Sequence, residues 1–542
     1  MNSQRLPPRK IIGHAANAVA RAWAWTMTMV VALATTSFLL ACSESDPPTE
    51  SSATNVVLIT VDTLRADRTG PYRENSQATP NIAKLAGQGT LFEAAISPMQ
   101  MTRPSHDSLF TSLYPRDHGV VNNKISLASG FRTLAEVFRE HGYATAGFVG
   151  VSLLGPDSGV ARGFEHFDHP VDVRTRSAEQ VVGAVASWLA ERSRDEPYFV
   201  WVHFFDPHTP YAPPAAFAPV ARGSVARAIP EASIERLMAI AEQHGGDLPK
   251  AAVERALALY QAEIEYTDHW LGRLLEVVDA SASGQHTAVA LTADHGECFE
   301  NGIYFEHSDC LYEGAARIPL IFRAPGRVGA GIRRGEVVEI LDIGPTLLAL
   351  AELPVPAGFL GRKLFDEADP ARDVAFLQHP LYSNTGAQNR KVRRLRSVMG
   401  SPTREILIAE ELIGVRTRDW KYLLRGDHEE LYHLASDPGE TRNVAPDHPS
   451  VVVELRQKLK AWSTAHPQHH ANVELINDEM RATPEALGHL QCAAVATRSV
   501  ARGRTAADGS AALPAPPSPP RPTPAPLHRS PPTSPTRPDA HA

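Results

Sequence analysis

The chain has 542 residues, 43% hydrophobic and 21% charged, enough for more than one domain around a large core. A net charge of -8 gives no case for nucleic-acid binding. Its four cysteines, Cys42, Cys298, Cys310 and Cys492, are too few for a disulfide scaffold and form no C-x-x-C pair. In chain order, Arg5, Arg9, Lys10 and Arg21 precede an apolar run over 25–41, and no acid appears before Glu44. This pattern reads as an export signal. The alternative is an uncleaved anchor, for which the run is short. Both readings put the body outside the cytoplasmic membrane. Residues 43–53 are a polar linker with Pro47-Pro48.

Residues 55–61 form an apolar, β-rich run that reads as a buried parallel strand ending at Asp62. A carboxylate there lies where α/β sheets bind ligands, or it caps a following turn. Thr79-Pro80-Asn81 opens an amphipathic helix. Residues 101–119 read as a turn feeding a helix, with Pro104 at its start and Leu109, Phe110 and Leu113 on its apolar face. Thr102 sits just before that start. Its hydroxyl either caps the helix or faces an anion drawn to the free amides. Residues 131–168 read as helix, strand and loop, and 177–190 as a helix. Residues 198–205 read as a second buried strand, followed by Asp206-Pro207-His208-Thr209-Pro210. Asp206 suits a second metal or a turn. A long amphipathic helix spans 253–278, and 287–293 is a third strand ending in Asp294-His295. A fourth strand follows Arg317. Residues 365–396 look polar and irregular, with a basic run at 390–396 that either meets an anionic substrate or is a solvated face. Residues 414–417 and 420–424 read as paired strands and 451–464 as a helix.

Several segments resemble sulfatases, within the alkaline-phosphatase-like superfamily. Asp62-Thr63-Leu64-Arg65 resembles the first metal motif, with Thr63 where many members carry a second Asp. Thr102-Arg103-Pro104-Ser105-His106, then Thr111-Ser112-Leu113-Tyr114-Pro115 and His118-Gly119, resemble the nucleophile motif. There, Thr102 replaces the Cys or Ser that becomes formylglycine, and His106 replaces Arg. The frame is also similar to the Thr-nucleophile phosphodiesterases and phosphoethanolamine transferases of the superfamily. His208-x-Pro210, Asp294-His295-Gly296-Glu297, His307 with Leu311-Tyr312, and Arg317-Ile318-Pro319-Leu320-Ile321 continue the resemblance. Asp268, in the long helix, reads as structural. Residues 430–443 and 486–490 match the family's ending. The Gly-Lys-Trp-His signature of many arylsulfatases has no counterpart. Separately, Leu39-Leu40-Ala41-Cys42 resembles the lipobox of bacterial lipoproteins, making Cys42 the lipidated residue.

The resemblance implies an α/β sandwich with a mostly parallel central sheet and a smaller C-terminal antiparallel sheet and helix. The divisions are a signal peptide at 1–41, a linker at 42–53, a catalytic domain at 54–364, a linker with the smaller subdomain at 365–491, and a Pro/Ala-rich disordered tail at 492–542. It implies a divalent metal held by Asp62, Thr102, Asp294 and His295. Imidazole at His295 suits Mn2+ or Zn2+ better than Ca2+. Thr102, His208 and His307 are the expected catalytic residues, with Arg65, His106, His208 and His307 at the substrate. His307 serves as general acid or on a second metal. No formylglycine is expected. The reading is a hydrolase of sulfate or phosphate esters on small molecules, glycans or lipids. It is lipid-anchored in the bacterial cell envelope and faces the periplasm. The alternatives are an envelope phospho-group transferase and a non-catalytic binding protein on the same fold.

Overall fold

The computed structural model describes residues 54–73, 78–192, 196–245, 248–281, 286–299, 307, 310–379 and 411–467. The expectations for the N-terminal signal, Cys42, the basic run at 390–396, residues 486–490 and the tail lie outside these residues.

An eight-stranded sheet forms the core, in the order β4-β3-β5-β1-β6-β7-β2-β8. Its strands are β1 (Asn55–Val61), β2 (Thr90–Ile96), β3 (Ala144–Val149), β4 (His166–Asp168), β5 (Tyr198–Phe204), β6 (Thr287–Ala293), β7 (Arg317–Arg323) and β8 (Ile332–Glu339). Only β7 runs against its neighbours β6 and β2; the other pairs are parallel. Every residue of β1, β5 and β6 is buried, as expected of central parallel strands covered on both faces.

The covering helices start for local reasons. Helices α1 (Pro80–Gly87), α2 (Thr102–Thr111), α3 (Leu134–Glu140), α4 (Ala178–Ala190), α5 (Ile234–Gln243), α6 (Lys250–Ala280) and α7 (Ile343–Leu350) follow in order. Thr133 with Glu136, and Ser177 with Gln180, form capping boxes at α3 and α4. The first amides of α1 are capped from a distance: the Asp268 carboxylate on α6 accepts from Asn81 N and Ile82 N, at 3.1 and 2.8 Å. Asp268 is thus structural.

A second sheet is antiparallel, in the order β12-β11-β10-β9: β9 (Val374–Gln378), β10 (Leu412–Thr417), β11 (Trp420–Arg425) and β12 (His428–His433). It packs with α8 (Pro449–Ala465). β9 falls in the stretch expected to be irregular. Five residues among polar neighbours give too short a pattern to read, and pairing with β10 supplies the order. The α/β sandwich with a smaller antiparallel sheet matches the expected fold. Among the described residues, no helix is long and apolar enough to cross a membrane.

Candidate active site

Three parallel strands end at one place. Val61 is in register with Phe204 and with Ala293, so the residues after β1, β5 and β6 emerge side by side. This is the carboxyl edge, where α/β sheets place ligands. Asp62, Asp294 and His295 come together there: one ligand atom from each lies within 4.8 Å of the others, and all three are fully buried. Thr63 turns the chain at φ 55°, a left-handed conformation that is costly for a β-branched residue. Its N–H reaches Asp294 Oδ1 at 3.2 Å, and its carbonyl accepts from Tyr260 Oη at 2.6 Å.

Helix α2 delivers Thr102 to this edge. The helix begins at Thr102 itself, with Met101 as N-cap, so Pro104 is its third residue. Thr102 is therefore not the cap. Its hydroxyl donates to Asp62 Oδ2 at 3.4 Å.

His106, one turn on, has both ring nitrogens engaged. Nδ1 lies 2.7 Å from the Thr102 carbonyl, which can only accept, so Nδ1 carries the proton. Nε2 then accepts from Thr60 Oγ1 at 3.2 Å, while that oxygen accepts from Trp201 Nε1 at 2.9 Å. Burial, then the neighbouring His203, push the His106 pKa down to about 3, so the ring is neutral. His106 holds the backbone of Thr102; expected at the substrate, it faces protein on both sides.

His203, in β5, was not singled out from sequence. Its Nε2 lies 3.6 Å from Asp62 Oδ2, and burial lowers its pKa to about 3. A histidine inside the apolar run Tyr-Phe-Val-Trp-Val-His-Phe is the signal that could have found it.

The remaining expected residues line one side. His295 Nδ1 contacts the Gly296 carbonyl at 2.9 Å and so carries the proton, leaving the Nε2 lone pair 3.4 Å from Asp294 Oδ2. The His307 ring stacks 4.4 Å from that of His295, and His208 stands 5.5 Å from His307. His307 Nδ1 meets Glu297 Oε1 at 3.1 Å, and Tyr211 donates to Glu297 Oε2 at 2.9 Å. Glu297 is a buried anchor that carried no role in the sequence reading. Arg65 is buried, bidentate to Asp67 and bonded to the Glu297 carbonyl, so it braces the wall of the site. Asp206 Oδ1 accepts from Ala178 N at the start of α4, at 3.1 Å, and so caps a helix remote from its own loop. Cys298 and Cys310 are disulfide-bonded and flank His307.

The donor set fits a cation. Asp294 Oδ2 makes no hydrogen bond among the described residues, and the nearby His106 Nδ1, at 3.8 Å, has its proton committed elsewhere. Burial, then the charge of Asp62, raise the Asp294 pKa well above the usual carboxylate range. Two buried carboxylates and an imidazole lone pair facing one point are stable when a divalent ion neutralises them.

A buried hydroxyl at a helix N-terminus stands beside clustered carboxylates at the carboxyl edge of a parallel sheet, an arrangement suited to an ester hydrolase. Residues 54–353 match the sulfatase family, and the chain belongs to it. Human arylsulfatase K is 24% identical over 479 residues, covering 79% of this chain and 85% of that one. Choline-sulfatase of Rhizobium meliloti is 23% identical over 445 residues, covering 72% and 82%. The fold is similar to that of the phosphonate monoester hydrolase of Agrobacterium radiobacter, with a TM-score of 0.61 at 22% identity, covering 76% of this chain and 96% of that one. Members of the family generally bind a divalent metal, and Asp62, Asp294 and His295 form a group that could hold one.

Proposed function

We propose that this hydrolase uses Thr102 as nucleophile, with Asp62, Asp294, His295 and Thr102 holding one divalent cation, and acts on phosphoric rather than sulfuric esters. The observation that carries the reading is the Thr102 hydroxyl, buried at the first turn of α2 and bonded to Asp62. A bound cation would lower the pKa of that hydroxyl and neutralise the substrate's oxygens. His295 as ligand favours Mn2+ or Zn2+ over Ca2+.

Thr102 Oγ forms a bond to phosphorus and releases its proton along the hydrogen bond to Asp62 Oδ2. The bond from phosphorus to the leaving oxygen breaks, and that oxygen takes a proton from His307 or His208. Water then attacks phosphorus and gives a proton to the same histidine, the bond from phosphorus to Thr102 Oγ breaks, phosphate leaves, and Asp62 returns the proton to the hydroxyl. A threonine β-carbon carries a methyl group, so its oxidation gives a ketone and never formylglycine. Sulfate release from a hydrated aldehyde is therefore closed to it. A phospho-threonine hydrolyses more readily than a sulfo-threonine, and this sets the preference. His106 cannot assist by donating from Nδ1, because that proton is fixed on the Thr102 carbonyl.

The body is further proposed to be lipid-anchored through Cys42 and to face the periplasm. The Cys298–Cys310 disulfide supports an oxidising compartment.

The test is turnover of aryl sulfate, phosphate monoester and phosphate diester by the purified chain with Mn2+, Zn2+ or Ca2+, beside Thr102→Ala. Phosphoester turnover lost by ~10⁴-fold in Thr102→Ala is expected. Turnover of the sulfate alone would contradict the preference, and an active Thr102→Ala the nucleophile.

A further inference from the structure

The segment that carries the His307 wall is fastened to the C-terminal sheet by a buried ionic cluster. Arg416, Lys421 and Tyr432 form one cross-strand row over β10, β11 and β12. Lys421 is fully buried. Its ammonium reaches Glu313 Oε1 at 2.8 Å, Glu440 Oε1 at 3.0 Å and the Leu311 carbonyl at 3.0 Å. Arg416 reaches Glu313 Oε2 at 3.3 Å, and Glu440 accepts from the Glu313 N–H. Tyr312 and Tyr432 both donate to Glu430, at 3.1 and 2.7 Å.

The fastened segment leads directly into the site. Gly296 N donates to the Ala315 carbonyl at 2.7 Å and Glu297 N to the Gly314 carbonyl at 3.2 Å. A Cβ at Gly296 would collide with the Gly314 carbonyl, so the contact needs glycine. Cys310 N donates to the His307 carbonyl at 3.0 Å, and Glu297 holds the His307 ring. Lys421 is thus linked to His307 on both sides: through Leu311 and Cys310 to its backbone, and through Glu313, Gly314 and Glu297 to its ring.

We propose that Lys421 is a positioning residue that sets His307 for proton delivery to the leaving group, so that the C-terminal sheet is part of the catalytic apparatus. The inference rests on the reading of His307 as general acid. A neutral residue at 421 leaves Glu313 and Glu440 facing each other without the ammonium between them. Their repulsion opens the turn at 313–315, and Glu297 and His307 shift with it. A misplaced acid slows esters of poor leaving groups far more than those of good ones, because a nitrophenolate departs without a proton.

The experiment compares Lys421→Met, His307→Gln and the double variant in the full chain, using phenyl and 4-nitrophenyl esters of the acid the wild type turns over. His307→Gln is expected to lower kcat for the phenyl ester about tenfold more than for the nitrophenyl ester. Lys421→Met is expected to show the same selective loss, and the double variant no larger selectivity than His307→Gln. Selectivity in His307→Gln but a uniform loss, or none, in Lys421→Met overturns the positioning role alone. No selectivity in His307→Gln overturns the acid reading, and this inference with it. Where Lys421→Met does not accumulate folded, Glu313→Gln keeps an acceptor for the ammonium and is read on the same scale. A selective loss supports the role, and a uniform one overturns it.

Discussion

The two walls of the site are built differently. The wall made by Asp62, Thr102 and His106 stands on the central sheet itself. Its bonds run between adjacent strands and the helix laid on them, and the donors from Trp201 through Thr60 and His106 to Thr102 are assigned without ambiguity. The wall made by His307 and Glu297 stands on a loop between β6 and β7, closed by a disulfide and bolted to a second sheet by charges. Thr102 therefore keeps its geometry as long as the core is folded. His307 depends on contacts that can be removed while the core stays intact.

That contrast can be broken at the disulfide, with the largest stability effect. The bridge closes a loop of sequence separation 12, and replacing both cysteines by serine should cost about 3 kcal/mol, read as a lowered midpoint in urea. Activity on the phenyl ester should fall more than on the nitrophenyl ester. An equal fall on both would mean that the two walls are not independent.

It is sharpened at His106. His106→Leu removes the bond that holds the Thr102 carbonyl, and kcat should drop about 10- to 100-fold, or about 1.4–2.7 kcal/mol, equally for both esters. A leaving-group-selective loss would contradict the division.

The smallest effect lies beside the site, at Glu263. Burial, then Asp206, raise its pKa to about 8. A folded-state pKa above the unfolded value of 4.5 means that the folded chain holds the proton more tightly. Stability then falls as pH rises through the window from 4.5 to 8. Allowing for relaxation around the charge, the fall should be about 1–2 kcal/mol. Glu263→Gln should flatten that slope in denaturation measured from pH 5 to 8. An unchanged slope would show that Glu263 does not hold the proton.

The first wall was the more legible in sequence. β1, β5 and β6 are mostly apolar runs, followed by Asp62, by Asp206-x-His208 and by Asp294-His295, and such runs are written by burial on both faces. β8 was not read, because Arg333, Arg334 and Glu336 break its pattern at a half-exposed edge. β2 was not read either, since its alanines and Glu93 carry little strand signal. Asp62, Asp294, His295 and Thr102 could be picked out by position. The role of His106 could not, because it depends on Thr60 and Trp201, which are remote in sequence. Lys421 looked like one charge in a strand, and only the pairing of β11 with its neighbours brings it to Glu313 and Glu440.

The central claim is that Thr102 becomes the covalent carrier. The most direct measurement is acid-quenched single turnover of an aryl phosphate, followed by mass spectrometry of the peptide containing residue 102. A transient mass increase of one phosphoryl group on Thr102 is expected, formed with the released phenol and absent in Thr102→Ala. Phenol release with Thr102 unmodified, and retained in Thr102→Ala, would contradict it.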